Sequence, residues 1–388
     1  MRAKEPIYAP VEPPVLKWAV ESSGWTAEDV SRRLKISPKT VEAWFGGSIS
    51  PTVPQLENLA TALKRPLAAF FLSKPPAEKP NPPDYRMLPG KEGIFDKKTL
   101  LAIRRARRLQ RTGRELTENL NEGMQEKFPK VQMNENPSKL AASYRHEFGL
   151  DEETQRKMKD PYKLLNYLRE KIEARGVMSF QISMPLEDAR GLTLADESPA
   201  VVVINSKDPA EARIFTLMHE FAHVLLGESG VSMPQSALMG IESKKIERWC
   251  DQFAANFLFP QEIAKGIFTE KKKTLTDTDT LNSLARAYKV SKAMLLRCML
   301  DMGFVDKTGY DKVLGRYDPS GTMAQPSQKK SFKRAPGADK RCLNEKGHRF
   351  VSLVISNMER GFITHSDTLN YLSIKSKNLD KVMKEVRG

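Results

Sequence analysis

"FTLMHEFAHVLLG", Phe215–Gly227, sets His219, Glu220 and His223 in an otherwise apolar run. At about 100° per residue, two histidines four apart fall about 40° apart on one helix face, one turn from each other. Upstream, Asp208 is placed to cap the helix, Pro209 to occupy its first position and Glu211 to close a capping box. Gly227 is a suitable stop. The spacing therefore predicts a helix that presents two neutral imidazoles to one zinc ion. Glu220 points aside from that face, where a carboxylate can reach a water on the metal and act as general base.

Zinc in a catalytic site takes three protein ligands and keeps a fourth position open. The third is sought in "KKIERWCDQFAANFLFP", residues 244–260. Glu247 and Asp251 are four apart, hence on one face of a second helix. Glu247 is the candidate third ligand, and Asp251 can accept a hydrogen bond from a ligating histidine. Trp249, Phe253 and Phe257 lie on the other faces and would pack this helix into a core. His146, His348 and His365 stand alone in polar helical contexts and read as surface or structural residues. Tyr144 and Tyr162 could stabilise an oxyanion, but nothing in the sequence brings either to the zinc, and that role stays unassigned.

Working outward, 388 residues exceed one compact core and suggest two to four domains. No apolar run is long enough to span a membrane. The first residues, "MRAKEPIYAPVEPP", carry no apolar signal core, so a cytoplasmic location is expected. The three cysteines, Cys250, Cys298 and Cys342, have no paired spacing, which fits a reducing compartment and excludes a cysteine-based zinc finger. The net charge of +15 suggests an anionic partner, most economically nucleic acid.

Residues 1–72 read as short helices: "PPVLKWAVESSG", "AEDVSRRLK" after the cap Thr26, "PKTVEAWFGG" after Ser37, and "SPTVPQLENLATALKRP". Short helices joined by tight turns read as a helix-turn-helix domain. Residues 73–90 are rich in proline, exclude helix and sheet, and form an extended spacer. Residues 91–317 begin with helices, including "IRRARRLQRTGR", whose six arginines are either a solvated face or a nucleic-acid contact, with Leu101, Ile103 and Leu109 as anchors. "VMSFQIS", "RGLTL" and "AVVVIN" are short and β-branched and read as strands. Helices then run to about residue 303. Residues 318–340 read as a flexible linker, and 341–388 as a small C-terminal helical unit. The expected architecture is multidomain and mainly α, with an α+β centre holding a small β-sheet.

"RIFTLMHEFAHVLLG" followed by "ERWCDQFAANFLFP" resembles the ImmA/IrrE family of zinc metallopeptidases over about residues 80–300. The resemblance implies a gluzincin-like domain in which His219, His223 and Glu247 bind zinc and Glu220 is the catalytic base. It also implies a sheet whose edge strand, taken as "AVVVIN", could pair with an extended substrate. The family's usual activity is cleavage of a partner repressor, so a repressor or antitoxin-like protein is the expected substrate.

"WFGGSISPTVPQLENLATAL" resembles Xre-type helix-turn-helix domains, and "PPDYR" resembles the junction of Xre–peptidase fusions. By that resemblance Ser37, Lys39 and Thr40 are the candidate DNA contacts. Ala27 stands where a glutamine is common, Phe45 where an acidic residue follows the tryptophan, and Glu42 would repel phosphate, so protein docking competes with DNA binding. "LNSLARAYKVSKAMLLRCMLDMGFV", residues 281–305, has a second helix-turn-helix character and reads chiefly as a packing element. The competing function is a DNA-binding regulator, or a toxin–antitoxin or phage-defence component, whose peptidase fold acts as a sensor or an interaction module. The intact Glu220 argues against it, since a sensor needs no base.

Overall fold

The computed structural model describes residues 6–85, 93–121, 130–233, 241–317 and 337–387. Most of the expected linker 318–340, and residues 86–90 of the proline-rich stretch, lie outside the described residues. The chain divides into two compact units, Met1–Asn81 with Ile94–Arg104, and Pro82–Gly93 with Arg105–Gly388.

The first unit is all-helical: α1 (Pro13–Glu21), α2 (Ala27–Leu34), α3 (Pro38–Phe45) and α4 (Val53–Leu63), then a 3-10 turn at Leu67–Phe71. The caps explain the breaks. Thr26 and Asp29 form a reciprocal capping box at the start of α2, and Lys35 ends that helix in the left-handed region at φ 57°. Ser37 accepts the Thr40 amide at 3.1 Å and opens α3. Leu16, Val30, Val41, Trp44, Leu56, Leu59 and Phe70 form the shared core. Each buried aliphatic side chain contributes about 1.5–3 kcal/mol. The next helix, α5 (Lys97–Asn119), begins here: Lys97 pairs with Asp29 at 2.6 Å, and Arg104 donates to the Leu63 carbonyl at 3.0 Å.

In the second unit α6 (Pro137–Glu147), α7 (Glu152–Lys157) and α8 (Pro161–Glu173) precede β1 (Met178–Ile182), β2 (Gly191–Leu194) and β3 (Val201–Asn205). The helix α9 (Ala210–Leu226) carries both histidines; β4 (Gly230–Ser232) and α10 (Ile241–Leu258) follow it. Next come α11 (Gln261–Glu270), α12 (Thr278–Tyr288), α13 (Lys292–Asp301) and α14 (Lys307–Tyr317). The chain closes with α15 (Ala338–Lys346), α16 (His348–Glu359), α17 (His365–Leu372) and α18 (Leu379–Arg387).

The sheet order is β1-β3-β2-β4, with β1 and β3 parallel and the other pairs antiparallel. This corrects the expectation that "AVVVIN" is an edge strand. It forms β3, an interior strand paired on both sides and buried along its whole length. A continuous β-branched run suits a strand covered on both faces, which a substrate cannot reach. The edge near α9 is β4, three residues with too little pattern to be read from sequence.

Proline density does not keep the spacer out of the sheet either. Asp84 bridges Val231 of β4 in parallel. The Val231 amide donates to the Pro83 carbonyl at 3.0 Å, and the Tyr85 amide donates to the Val231 carbonyl at 3.0 Å. Only an acceptor is asked of Pro83, so its missing N–H costs nothing.

Helices cover both sheet faces. From β1, Phe180 meets Phe350 of α16 edge to face at 5.4 Å, while Ser179 accepts from Arg169 of α8 and Gln181 from Arg213 of α9. In α12 and α13, Leu281, Leu284, Leu295, Leu296 and Met299 are buried in the core shared with α9 and α10, as a packing element requires. The arginine-rich helix is partly structural: Arg107 pairs with Asp196 at 2.5 Å and Arg114 with Glu197, pinning the β2–β3 loop to α5.

Candidate metal centre

Residues 214–226 of α9 are all buried. A helix enclosed all round can carry two histidines and a glutamate only if each has a partner. Its N-terminus differs from expectation. Asp208 does not cap it with its side chain; the carboxylate pairs instead with Arg190 at 3.2 Å, and Pro209 is the cap residue. The nearby guanidinium outcompetes the amide for the carboxylate. Gly227 closes the helix at φ 71°.

The α10 helix brings Glu247 against α9. Ligand atoms of His219, His223 and Glu247 all lie within 4.8 Å of one another, with the three side chains at most 1% exposed. The two Nε2 atoms are 3.2 Å apart, His223 Nε2 is 3.0 Å from Glu247 Oε1, and His219 Nε2 is 3.3 Å from Glu247 Oε2. Donors about 2 Å from one tetrahedral zinc are about 3.3 Å from each other, so the set has the right size and chemistry for that ion. Opposite this face, Trp249 stacks on Phe253 at 5.9 Å and 8°, and its indole N–H donates to the Glu135 carbonyl at 3.0 Å.

The surrounding groups divide the work. His219 Nδ1–H donates to Asp251 Oδ1 at 2.9 Å, which leaves Nε2 facing the cluster. Thr193 of β2 donates to Glu220 Oε2 at 2.7 Å, while Glu220 Oε1 is buried with no hydrogen-bond partner among the described residues. A Cβ on Gly191, also of β2, would collide with that oxygen, so glycine is what lets the carboxylate fit. Ser232 Oγ lies 3.3 Å from His223 Nε2.

Burial pushes the Glu220 carboxyl above its ordinary value, against the opposing pull of His223 and His219. Burial would also raise Glu247, but the two imidazoles outweigh it and hold that carboxyl at about 2. Burial, followed by the Glu247 charge, pushes the Cys250 thiol well up, the reverse of what a ligating thiolate needs.

The sequence had pointed to His219, Glu220, His223, Glu247 and Asp251, and the structure brings all five together. Tyr85, Gly191, Thr193 and Ser232 were not foreseen; "PPDYR" and a glycine inside a strand were the only signals. Tyr144 and Tyr162 are engaged elsewhere: Tyr144 packs edge-on to Phe221 and Phe253, and Tyr162 is exposed beside Arg213. His146, His348 and His365 are exposed on helices.

Ser37, Lys39 and Thr40 lie in the first unit, at the start of α3, the second helix of the helix-turn-helix pair. Lys39 is exposed, whereas the Ser37 and Thr40 hydroxyls bond each other at 2.8 Å.

Compared with known families, residues 172–299 match the IrrE N-terminal-like domain of the M78 peptidases, and residues 16–70 match a helix-turn-helix family. The matched peptidase segment contains every candidate ligand and Glu220. No curated protein matches the chain. Among the described residues no helix is long and apolar enough to cross a membrane. The chain thus joins a helix-turn-helix domain to an IrrE-like peptidase domain.

Proposed function

We propose that the chain is a zinc-dependent endopeptidase that cleaves a partner transcriptional repressor or antitoxin-like regulator and so releases the genes it silences. The observation that carries this reading is the buried His219–His223–Glu247 cluster with Glu220 beside it, its Oε1 without a hydrogen-bond partner among the described residues. His219 Nε2, His223 Nε2 and a Glu247 oxygen would hold the ion. A bound zinc would supply Lewis acidity toward a water and the scissile carbonyl. Glu220 Oε1 takes a proton from the attacking water as its oxygen bonds to the carbonyl carbon, and returns that proton to the amide nitrogen as the C–N bond breaks. Thr193 holds the other carboxylate oxygen, so Glu220 does not swing away from this task. Asp251 keeps His219 in the tautomer with Nε2 free.

The helix-turn-helix unit would place the enzyme on DNA near its substrate, with Lys39 of α3 contacting phosphate. Glu220→Gln tests the catalytic half: the variant should keep one zinc per chain and lose proteolysis. Proteins shortened in cells that express the wild type, but intact with Glu220→Gln, are the substrates. If Glu220→Gln performs the cellular function unchanged, the peptidase fold is a sensor. Gel shifts of the full-length chain across salt concentrations test the other half, since phosphate contacts must weaken as salt rises.

A further inference from the structure

The two histidines of the cluster are not held alike. His219 is fixed by its Nδ1–H bond to Asp251. A ligating imidazole ordinarily donates its outward N–H to an oxygen, and that bond sets both tautomer and ring plane. His223 Nδ1 is buried and has no such acceptor among the described residues. Beside it lies the ring of Tyr85, with centroids 5.4 Å apart and planes 13° from parallel. Offset stacking at this separation is attractive and directional.

Tyr85 is itself held firmly. Its backbone pairs with Val231 of β4, and its ring occupies the space that a Cβ on Gly230 would need. Only 8% of the residue is exposed. The backbone that holds this ring therefore comes from the proline-rich segment, outside both ligand-bearing helices.

We propose that Tyr85 is the positioning residue for the metal ligand His223: its flat ring, delivered by the paired segment Pro83–Tyr85, sets the imidazole plane in place of the missing hydrogen bond. The inference rests on the reading of His219, His223 and Glu247 as a zinc centre. It makes a requirement of shape rather than of the phenol group. Phenylalanine meets it; leucine fills the slot beside Gly230 but presents no flat face.

The test uses the full-length chain, stripped of metal, in wild-type, Tyr85→Phe, Tyr85→Leu and Tyr85→Ala forms. Zinc affinity is measured by competition with a chromophoric chelator, and ligand geometry by the visible spectrum of the cobalt(II) form. Tyr85→Phe should bind zinc within about twofold of wild type, with the wild-type cobalt spectrum. Tyr85→Leu and Tyr85→Ala should weaken zinc by about 10–100-fold, the range found when groups that orient ligands are removed, and should alter the cobalt bands. Circular dichroism and the melting temperature of the metal-free protein monitor folding; if Tyr85→Ala does not fold, the Leu and Phe variants decide. Wild-type affinity and spectrum in Tyr85→Leu overturn the proposal, as does an equal loss in Tyr85→Phe, which would assign the effect to the hydroxyl. A wild-type chain that binds no zinc overturns the metal-centre reading and this inference with it; tight wild-type binding beside an unaffected Leu variant overturns this inference alone.

Discussion

Thr193 Oγ1 lies 2.7 Å from Glu220 Oε2 and 3.1 Å from the Glu220 carbonyl oxygen, so its one proton, given chiefly to the nearer carboxylate, ties β2 to the helix that carries the proposed base. One carboxylate oxygen is thereby occupied, and the other has no hydrogen-bond partner among the described residues. Thr193→Val keeps the shape and removes the donor. Losing a hydrogen bond to a buried charged group costs about 1.5–3 kcal/mol, so proteolysis should fall by about 10–100-fold if that cost is felt in the transition state. Zinc content should stay at the wild-type level. A Thr193→Val enzyme that cleaves as fast as wild type would show that Glu220 needs no such restraint.

Gly191 supplies a sharper probe of the same carboxylate. A methyl group at this position would overlap Glu220 Oε1 and reach Thr216, so the carboxylate must move. Gly191→Ala should therefore mimic Glu220→Gln, binding zinc but losing at least about 100-fold in turnover, on the scale expected when a general base is misplaced. Parallel measurement of bound zinc and cleavage rate checks it. Loss of both together would mean that the sheet, not the base, was disturbed.

How much of this was readable beforehand follows from range along the chain. His219, Glu220 and His223 share one helix, and Glu247 and Asp251 share another, so a helical period was enough to group them. Thr193 and Gly191 act from a strand on a helix, and Tyr85 arrives from a segment more than a hundred residues upstream of His223; no local period reports such pairings. The strand order was hidden for the same reason. A run such as "AVVVIN" states that its strand is buried, but not which neighbours bury it. Local capping was legible at Thr26 and Ser37, yet failed at Asp208, where a distant arginine claims the carboxylate.

The C-terminal helices show the same limit and yield a third prediction. Arg169 of α8 donates to Ser179 Oγ at 2.9 Å and to the Asn344 carbonyl at 2.9 Å; Glu173 accepts from Ser179 and from the Arg349 amide, the latter at 2.9 Å. This buried network ties the α15–α16 junction to α8 and β1. Gly347, at φ 78°, sits where a Cβ would strike Glu173. Arg169→Leu leaves the Glu173 charge uncompensated and should destabilise by about 3–5 kcal/mol. Limited trypsin digestion of the variant should release the segment from Ala338 onward before the rest is cut. Uniform resistance equal to wild type would mean that the apolar contacts of α16 suffice to dock it.

Lys346 yields a prediction whose sign depends on pH. It is 3% exposed, and burial, reinforced by repulsion from Arg105, lowers its ammonium to about 8 from an ordinary 10.5. Below pH 8 both folded and unfolded chains carry the proton, and the folded state bears the full cost of a buried charge. Between about 8 and 10.5 the folded chain sheds the proton while the unfolded chain keeps it, so this residue's contribution to stability rises with pH across that window. Lys346→Met removes the charge at every pH with little change in volume. The variant should be more stable than wild type at pH 7 by on the order of 3 kcal/mol, a gain of several degrees in melting temperature. The advantage should shrink steadily above pH 8 and vanish near pH 10.5. Melting curves of both proteins at pH 7, 8, 9 and 10 decide the matter, because other titrating groups cancel in the difference. A constant difference, or a variant less stable at pH 7, would mean that the ammonium is well solvated where it sits.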